Sequence, residues 1–349
     1  MKKKEKKENK KLSRLKKVLI TIATVFILGL LSCLFLLYGP FTYIRETLIT
    51  TAMTTMNHQY LATWFYSSKT IEEVLLKHKV IESNETTNPD LIEIEDYSNS
   101  TLYESKYEEE ILTKDNESDI YKLIPVSGNS YQGYLVAIYD PSKVKIATTR
   151  YLNQTGELIT TIAKNNNALV AINAGGFYDP DWNSNGSLPH GTVIKDGKVV
   201  SDYDDASVGG GFVGFTNDNK LVLGKMTINQ ALAMNIRDAV EFGPFLIVNG
   251  KPSFIKGNGG WGIAPRTAIG QRKDGIVLFL VINGRLATSI GADMVDLTEI
   301  MMNYGAYNAA NMDGGSSTAL VINNKIINTP VAAGPNGLRN IPTAWIVTQ

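Results

Sequence analysis

Residues 309–318 read "AANMDGGSST", so Asp313 stands between a small apolar lead-in and two glycines, followed by three hydroxyl side chains. A carboxylate there could attack an electrophile, take a proton from water, or hold a ligand. The N–H groups freed by adjacent glycines could line an anion site beside it. Asp-Gly-Gly is equally the composition of an ordinary turn. Three other stretches have comparable chemistry. "AINAGGFYDP" (171–180) places Asn173 ahead of Gly175 and Gly176; paired glycines let backbone approach a ligand, and an Asn amide can both donate to and accept from sugar hydroxyls. The alternative is a tight turn with a left-handed Asn. "WGIAPRTAIG" (261–270) carries Arg266, whose planar fork suits a phosphate or carboxylate, although an Arg at a strand start also serves as a solvated or ion-paired residue. "EFGPFLIVNG" (241–250) opens on Glu241 beside Gly-Pro, which taken alone reads as the start of a strand.

The rest of the inventory narrows the chemistry. His190 is the one histidine beyond residue 120, and Cys33 is the one cysteine of the chain. That excludes a disulfide framework and a thiolate nucleophile in the later residues, and it disfavours zinc or dinuclear metal hydrolysis, which draws on several histidines. There is no G-x-S-x-G elbow and no G-x-x-x-x-G-K-[ST] phosphate loop. Carboxylates, amides and arginine remain. No cofactor is called for; a structural calcium held by backbone and Asp oxygens stays open, with no spaced ligand set to specify it.

From Ile120 to Gln349, short apolar runs alternate with turn signals. "GTVIKDGKVVSD" (191–202), "PFLIVNGKPSFI" (244–255) and "GIVLFLVINGRLATS" (275–289) each set Asp-Gly or Asn-Gly between β-rich segments, and "TALVINNKIIN" (318–328) does so with Asn-Asn. Four hairpins are therefore expected. Helical periodicity is confined to 155–167 and 293–306, the latter with Asp293 placed to cap its start and Gly305 to end it. The expected fold is α+β: largely antiparallel sheets built from hairpins, with a few packed helices, over residues 120–349.

Charge and hydropathy set the context of that domain. The 349 residues carry no net formal charge, yet residues 2–17 hold ten Lys or Arg against two Glu, and residues 71–119 hold fifteen Asp or Glu against four Lys. This asymmetry does not fit a nucleic-acid-binding protein. Val18–Tyr38 is a run of twenty-one uncharged residues, the length a helix needs to cross a bilayer core of roughly 30 Å. Lysines ahead of it predict a cytoplasmic tail (1–17), an uncleaved single-pass anchor (18–38) and an extracellular remainder. The competing readings are a cleaved signal peptide and lipidation of Cys33 in "LLSC". Residues 41–66 predict a helix with Ile44, Leu48, Ala52, Met56, Tyr60 and Trp64 along one side, a stripe that could lie on the membrane, pair with a partner or dock on the domain, with docking or self-association as a stalk expected. The acidic stretch from 67 to 119 predicts a flexible or partly helical spacer that its negative charge keeps extended. Lys, Asn and Ile usage suits a bacterial source.

Taken in order, "INAGGFYDP", "GTVIKDGK", "GPFLIVNGK", "APRTAIG" and "NMDGGSSTAL" resemble the phosphodiester glycosidase family, and the resemblance extends over roughly 125–349, with "GLRNIPTAWIV" (337–347) as its closing strand. The family's late motif reads Asn-Leu-Asp-Gly-Gly-Gly-Ser-Ser; here Met312 replaces the leucine and one glycine is absent. The resemblance implies hydrolysis of a sugar-1-phosphodiester at the sugar C1–O bond, in cell-envelope glycopolymers or exopolysaccharide. It implies that Arg266, with Arg339, holds the phosphate. Asp313 would be the acid beside the anomeric carbon, as nucleophile or as the base that activates water, and Glu241 the second carboxylate. Asn173, Gly175, Gly176, His190, Gly314, Gly315, Ser316 and Ser317 would line the sugar or phosphate. A second reading is a non-catalytic module that binds or organises envelope polysaccharide through the same cleft; a third is an interaction protein driven by the stalk.

Overall fold

The computed structural model describes residues 2–55, 58–94, 103–116, 119–179, 185–203 and 210–349, with the side chains of residues 2–13 and 15 left aside. Three antiparallel sheets carry the later residues. A seven-stranded sheet runs, in order, Lys251–Pro252, Phe245–Val248, Ala306–Met312, Arg266–Arg272, Val277–Ile282, Gln132–Ile138 and Tyr121–Ser127. A five-stranded sheet built on the 191–203 hairpin runs Leu221–Gly224, Gly211–Thr216, Ile236–Phe242, Gly191–Lys195 and Lys198–Tyr203. A C-terminal five-stranded sheet runs Lys325–Ile326, Leu320–Ile322, Ala168–Asn173, Thr343–Thr348 and Val144–Thr148.

One face of each sheet contributes to a shared core, in which Val136, Ile172, Phe215, Val240, Phe279 and Trp345 pack together. The opposite face of each sheet is covered by a helix, so few strands turn a flank to water. Met294–Asn303 covers the seven-stranded sheet through Leu297 and Met301, Ile159–Asn165 covers the C-terminal sheet through Ile162, and Ile228–Ala233 covers the hairpin sheet through Ala231. Strands buried on both faces read as continuous apolar runs, which is what "IVLFLVI" (276–282) does.

Three of the four expected hairpins form. Their loops place Asp196 and Gly197, Asn249 and Gly250, and Asn323 and Asn324 at positive φ, the backbone that type I′ turns require. The fourth does not. Val277–Ile282 pairs with Arg266–Arg272 on one side and Gln132–Ile138 on the other, so no free edge remains for the chain after Asn283–Gly284 to return along. The chain instead leaves the sheet, with Arg285 at φ 57°. The helix at 293–306 is observed as Met294–Asn303; the Asp293 carboxylate accepts from the N–H groups of Val295 and Asp296, and Gly305 follows at φ 78°.

The upstream segments depart further from expectation. Among the described residues, one helix, Lys2–Tyr38, contains a stretch, Lys16–Tyr38, long and apolar enough to cross a membrane. The 41–66 helix is broken: Thr42–Thr54 ends, and a short Tyr60–Thr63 turn follows. Ile44, Tyr60 and Trp64 are exposed while Ile49, Ala52, Ala62 and Tyr66 are buried with Ile71 and Val74 of helix Ser68–Lys77, so the expected single stripe does not exist; Met56 lies outside the described residues. The acidic stretch is not an extended spacer where it is described. Lys79–Ile81 pairs with Phe254–Lys256, Thr87 exchanges hydrogen bonds with Leu223, the Glu93 N–H donates to the Lys273 carbonyl, and Ile92 and Ile111 are buried. Most of the described acids are exposed, whereas Glu82 turns in to accept from the Phe245 N–H, and a sparse set of apolar and backbone groups faces inward, which overall composition does not reveal. Residues 95–102 and 117–118 lie outside the described set.

Candidate active site

Asn173, Glu241 and Asp313 occupy equivalent positions, each at the end of a strand where the chain leaves one sheet. Ala306–Met312 belongs to the seven-stranded sheet, and residues 313–317 carry the chain from its end to Leu320–Ile322 of the C-terminal sheet. Ile236–Phe242 of the hairpin sheet continues through Gly243–Pro244 into Phe245–Val248 of the seven-stranded sheet. Asn173 ends Ala168–Asn173, and the Asp313 N–H donates to the carbonyl of the next residue, Ala174, at 3.0 Å. The site is thus the seam where three sheets meet.

The Asp-Gly-Gly turn is built for close approach. Gly315 has φ 59°, and a Cβ on Gly314 would lie 2.9 Å from the Pro265 carbonyl oxygen, which already accepts from the Gly315 N–H at 2.8 Å. Asp313 is half-buried; its Oδ1 accepts from the Gly314 N–H at 3.0 Å, and its carboxylate is also bonded to Ser317. Removal from water raises its pKa above the ordinary carboxylate value, and nearby Asp179 adds to that. Ser317, the Arg339 guanidinium and the Gly314 N–H oppose it. An acid held this way can ionise for attack or proton uptake while retaining the basicity that either role needs.

Asn173 supports this loop from within. Its Nδ2 donates to the Asp313 carbonyl at 2.6 Å, and its Oδ1 accepts from Thr267 Oγ1 at 2.7 Å and from the Ala319 N–H at 3.2 Å. With 1% of its surface exposed, it joins the ends of three strands. Arg266 likewise does not turn its fork outward. It is 4% exposed; Nε donates to the Ala292 carbonyl at 3.1 Å, and Nη2 to the carbonyls of Trp261 and Gly262 at 2.5 and 2.6 Å. Burial lowers its pKa to about 10, with Asp293 and Asp313 opposing the shift. The family resemblance implies a phosphate on Arg266; in the structure these carbonyls engage its Nε and Nη2.

Two other arginines stand at the rim. Arg339 pairs with Asp179, lies 4.5 Å over the Phe177 ring and acts electrostatically on Asp313. Arg285 donates from Nη1 to Ser316 Oγ at 3.2 Å, over the Gly-Gly turn. Arg285 and Asp179 were not singled out from sequence: Arg285 sits in what reads as a hairpin loop, and Asp179 in the tail of the "INAGGFYDP" motif. On the far side of the 173–177 turn, Gly175 packs against Val240 and Gly176 lies between the Phe242 ring and His190. The Glu241 carboxylate accepts from the Thr192 N–H at 2.7 Å, next to His190, whose own N–H donates to the Gly176 carbonyl at 3.0 Å. Among the described residues, no group of three or more His, Cys, Asp or Glu side chains is disposed to hold a metal ion.

Residues 166–348 match the family model described as phosphodiester glycosidase, more than half of the chain. The chain belongs to the phosphodiester glycosidase family. All of the candidate site residues fall within the matched span. The catalytic domain of zebrafish N-acetylglucosamine-1-phosphodiester alpha-N-acetylglucosaminidase, a structure auto-inhibited by its pro-peptide, shares the fold of this phosphodiester glycosidase domain, with a TM-score of 0.53 at 21% identity, over 66% of this chain and 84% of that one. A hypothetical protein from Synechocystis superposes with a TM-score of 0.45 at 18% identity, over 65% of this chain and 61% of the other. In sequence, an uncharacterised SPbeta prophage-derived protein of Bacillus subtilis, YomE, is 32% identical over 199 residues, 54% of this chain and 30% of YomE. The chain thus spans less than a third of the length of that curated relative.

Proposed function

We propose that this phosphodiester glycosidase domain hydrolyses sugar-1-phosphodiesters at the sugar C1–O bond, acting outside the cell on envelope glycopolymers or exopolysaccharide. The observation that carries the reading is Asp313, a carboxylate of raised pKa at a three-sheet seam with Arg339 and Arg285 beside it. The zebrafish relative is named for removing N-acetylglucosamine from a phosphodiester, a reaction of the same class. A phosphate monoester already carries negative charge and needs little protonation to leave. The site therefore chiefly needs a base or nucleophile at C1 and cations for the departing oxygens.

Asp313 either attacks C1, forming a glycosyl ester that water then cleaves to restore the carboxylate, or takes a proton from the water that attacks C1 directly. On both routes the C1–O bond breaks, its electron pair leaves with the phosphate, water supplies the new C1 hydroxyl, and the sugar ends as a free hemiacetal. Arg285 and Arg339 face the departing phosphate; the Asn173 amide and the Pro265 carbonyl hold the loop that presents Asp313. Glu241 and His190 line the sugar side of the turn, Glu241 as the second carboxylate. Lys16–Tyr38 serves as a single-pass anchor with the basic tail in the cytoplasm.

Purified full-length protein incubated with a panel of glycosyl-1-phosphodiesters should release reducing sugar. Asp313→Asn should lower kcat/KM at least about 100-fold with unchanged thermal unfolding, as expected for loss of a reacting base. Binding without turnover across the panel would support the polysaccharide-binding module instead.

A further inference from the structure

We propose that the aromatic face of residues 41–65 is a platform seated in the headgroup region of a phospholipid bilayer, which fixes the catalytic domain close above the membrane. The inference rests on the reading of Lys16–Tyr38 as a membrane anchor. Its first support is where the apolar surface lies. The helices at 42–54, 60–63 and 68–77 share a small core of Ile49, Ala52, Ala62, Tyr66, Ile71 and Val74, yet Tyr43 is 73% and Trp64 75% exposed, and Phe41, Tyr60 and Phe65 also face outward. These aromatics are therefore not an unfinished interior; each is turned away from that core, and Tyr60 and Trp64 lie against each other. Tyr and Trp pair an apolar body with a polar tip, which suits the boundary between headgroups and acyl chains.

The second support is the level at which that face lies. The Tyr38 hydroxyl donates to the Phe65 carbonyl at 2.7 Å, and the Tyr66 hydroxyl donates to the Leu37 carbonyl at 3.0 Å. Residues 65 and 66 are thereby held beside the last two residues of the apolar helix, where it would emerge from a bilayer. Tyr60 and Trp64, whose ring centroids are 4.8 Å apart, extend the aromatic surface from that point.

The platform is coupled to the site. The Thr54 hydroxyl donates to the Trp261 carbonyl at 3.1 Å, the Ile263 N–H to Thr51 Oγ1 at 3.1 Å, and Asn258 Nδ2 to Thr50 Oγ1 at 2.7 Å. Trp261 is also one of the residues whose carbonyls hold Arg266. Thirteen residues of helix 42–54 span about 20 Å at 1.5 Å per residue. The seam that carries Asp313 is therefore held within a few tens of ångströms of the surface, within reach of phosphodiesters rooted in the membrane.

The test uses the full chain in phosphatidylcholine vesicles, with and without lipids brominated near the headgroup, and its Trp64→Phe variant. Brominated lipid should quench a component of tryptophan emission in the native chain, and that component should be absent from Trp64→Phe. An alkaline carbonate wash reports the anchor separately. Retention in the vesicles with identical quenching of both proteins would overturn the platform alone. Release by the wash would overturn the anchor and the platform together, and neither result depends on whether the domain is catalytic.

Discussion

At the scale of single residues, activity turns on the ionisation of Asp313. Its pKa is raised by burial and by Asp179, and lowered by Ser317, Arg339 and Gly314. If the carboxylate form reacts, activity grows as pH rises through that pKa, so the acid limb of kcat/KM should lie above the ordinary Asp value of about 3.9. Arg339→Met removes a cation that favours the carboxylate. The limb should then move to higher pH, and kcat should fall by about 10²-fold or more if Arg339 also meets the departing phosphate; a pH-rate profile of both proteins reads the two effects. The turn at Asp-Gly-Gly was legible from sequence because paired glycines permit the left-handed backbone that Gly315 adopts. The inward role of the Asn173 amide was not, because Thr267 and Ala319 are 94 and 146 residues away.

At the scale of elements, the helix Met294–Asn303 ties the site to the seven-stranded sheet through its cap. Burial raises the Asp293 pKa to about 6, and Asp296 adds to the shift, while the capped N–H groups and Arg266 oppose it. The folded pKa lies above the unfolded value of about 3.9, so between these pH values the folded chain binds more protons than the unfolded one. The contribution of this group to stability therefore falls as pH rises from about 4 to about 6. Asp293→Asn should keep the cap and flatten that slope, whereas Asp293→Ala should cost about 1 kcal/mol, as chemical denaturation of the solubilised chain would show. The cap was legible because capping is local. The failed hairpin at 283–284 was not: its turn residues are right, but both edges of the preceding strand are already occupied by Arg266–Arg272 and Gln132–Ile138. The same misreading hid Arg285.

At the scale of the whole molecule, the segment between the apolar helix and the sheets is part of the folded body where it is described. Ile111 is fully buried among residues of the seven-stranded sheet, and the Tyr139 hydroxyl donates to its carbonyl at 2.7 Å. Ile111→Ala should therefore destabilise the chain by about 2–4 kcal/mol, with a lowered Tm; a spacer would show no change. Fifteen acids against four lysines between 71 and 119 masked this packing, because a few buried side chains and backbone pairings hold the segment down and leave little periodicity to read. The three-sheet architecture was legible only as antiparallel α+β, since which strands share a sheet depends on contacts far apart in the chain.

In the proposed reaction water adds to the sugar and not to the phosphorus. Hydrolysis of a glycosyl-1-phosphodiester in H₂¹⁸O, followed by mass spectrometry of both products, tests it most directly. The heavy oxygen should appear in the C1 hydroxyl of the released sugar and not in the phosphate, with the reaction lost in Asp313→Asn. Heavy oxygen in the phosphate product would contradict it.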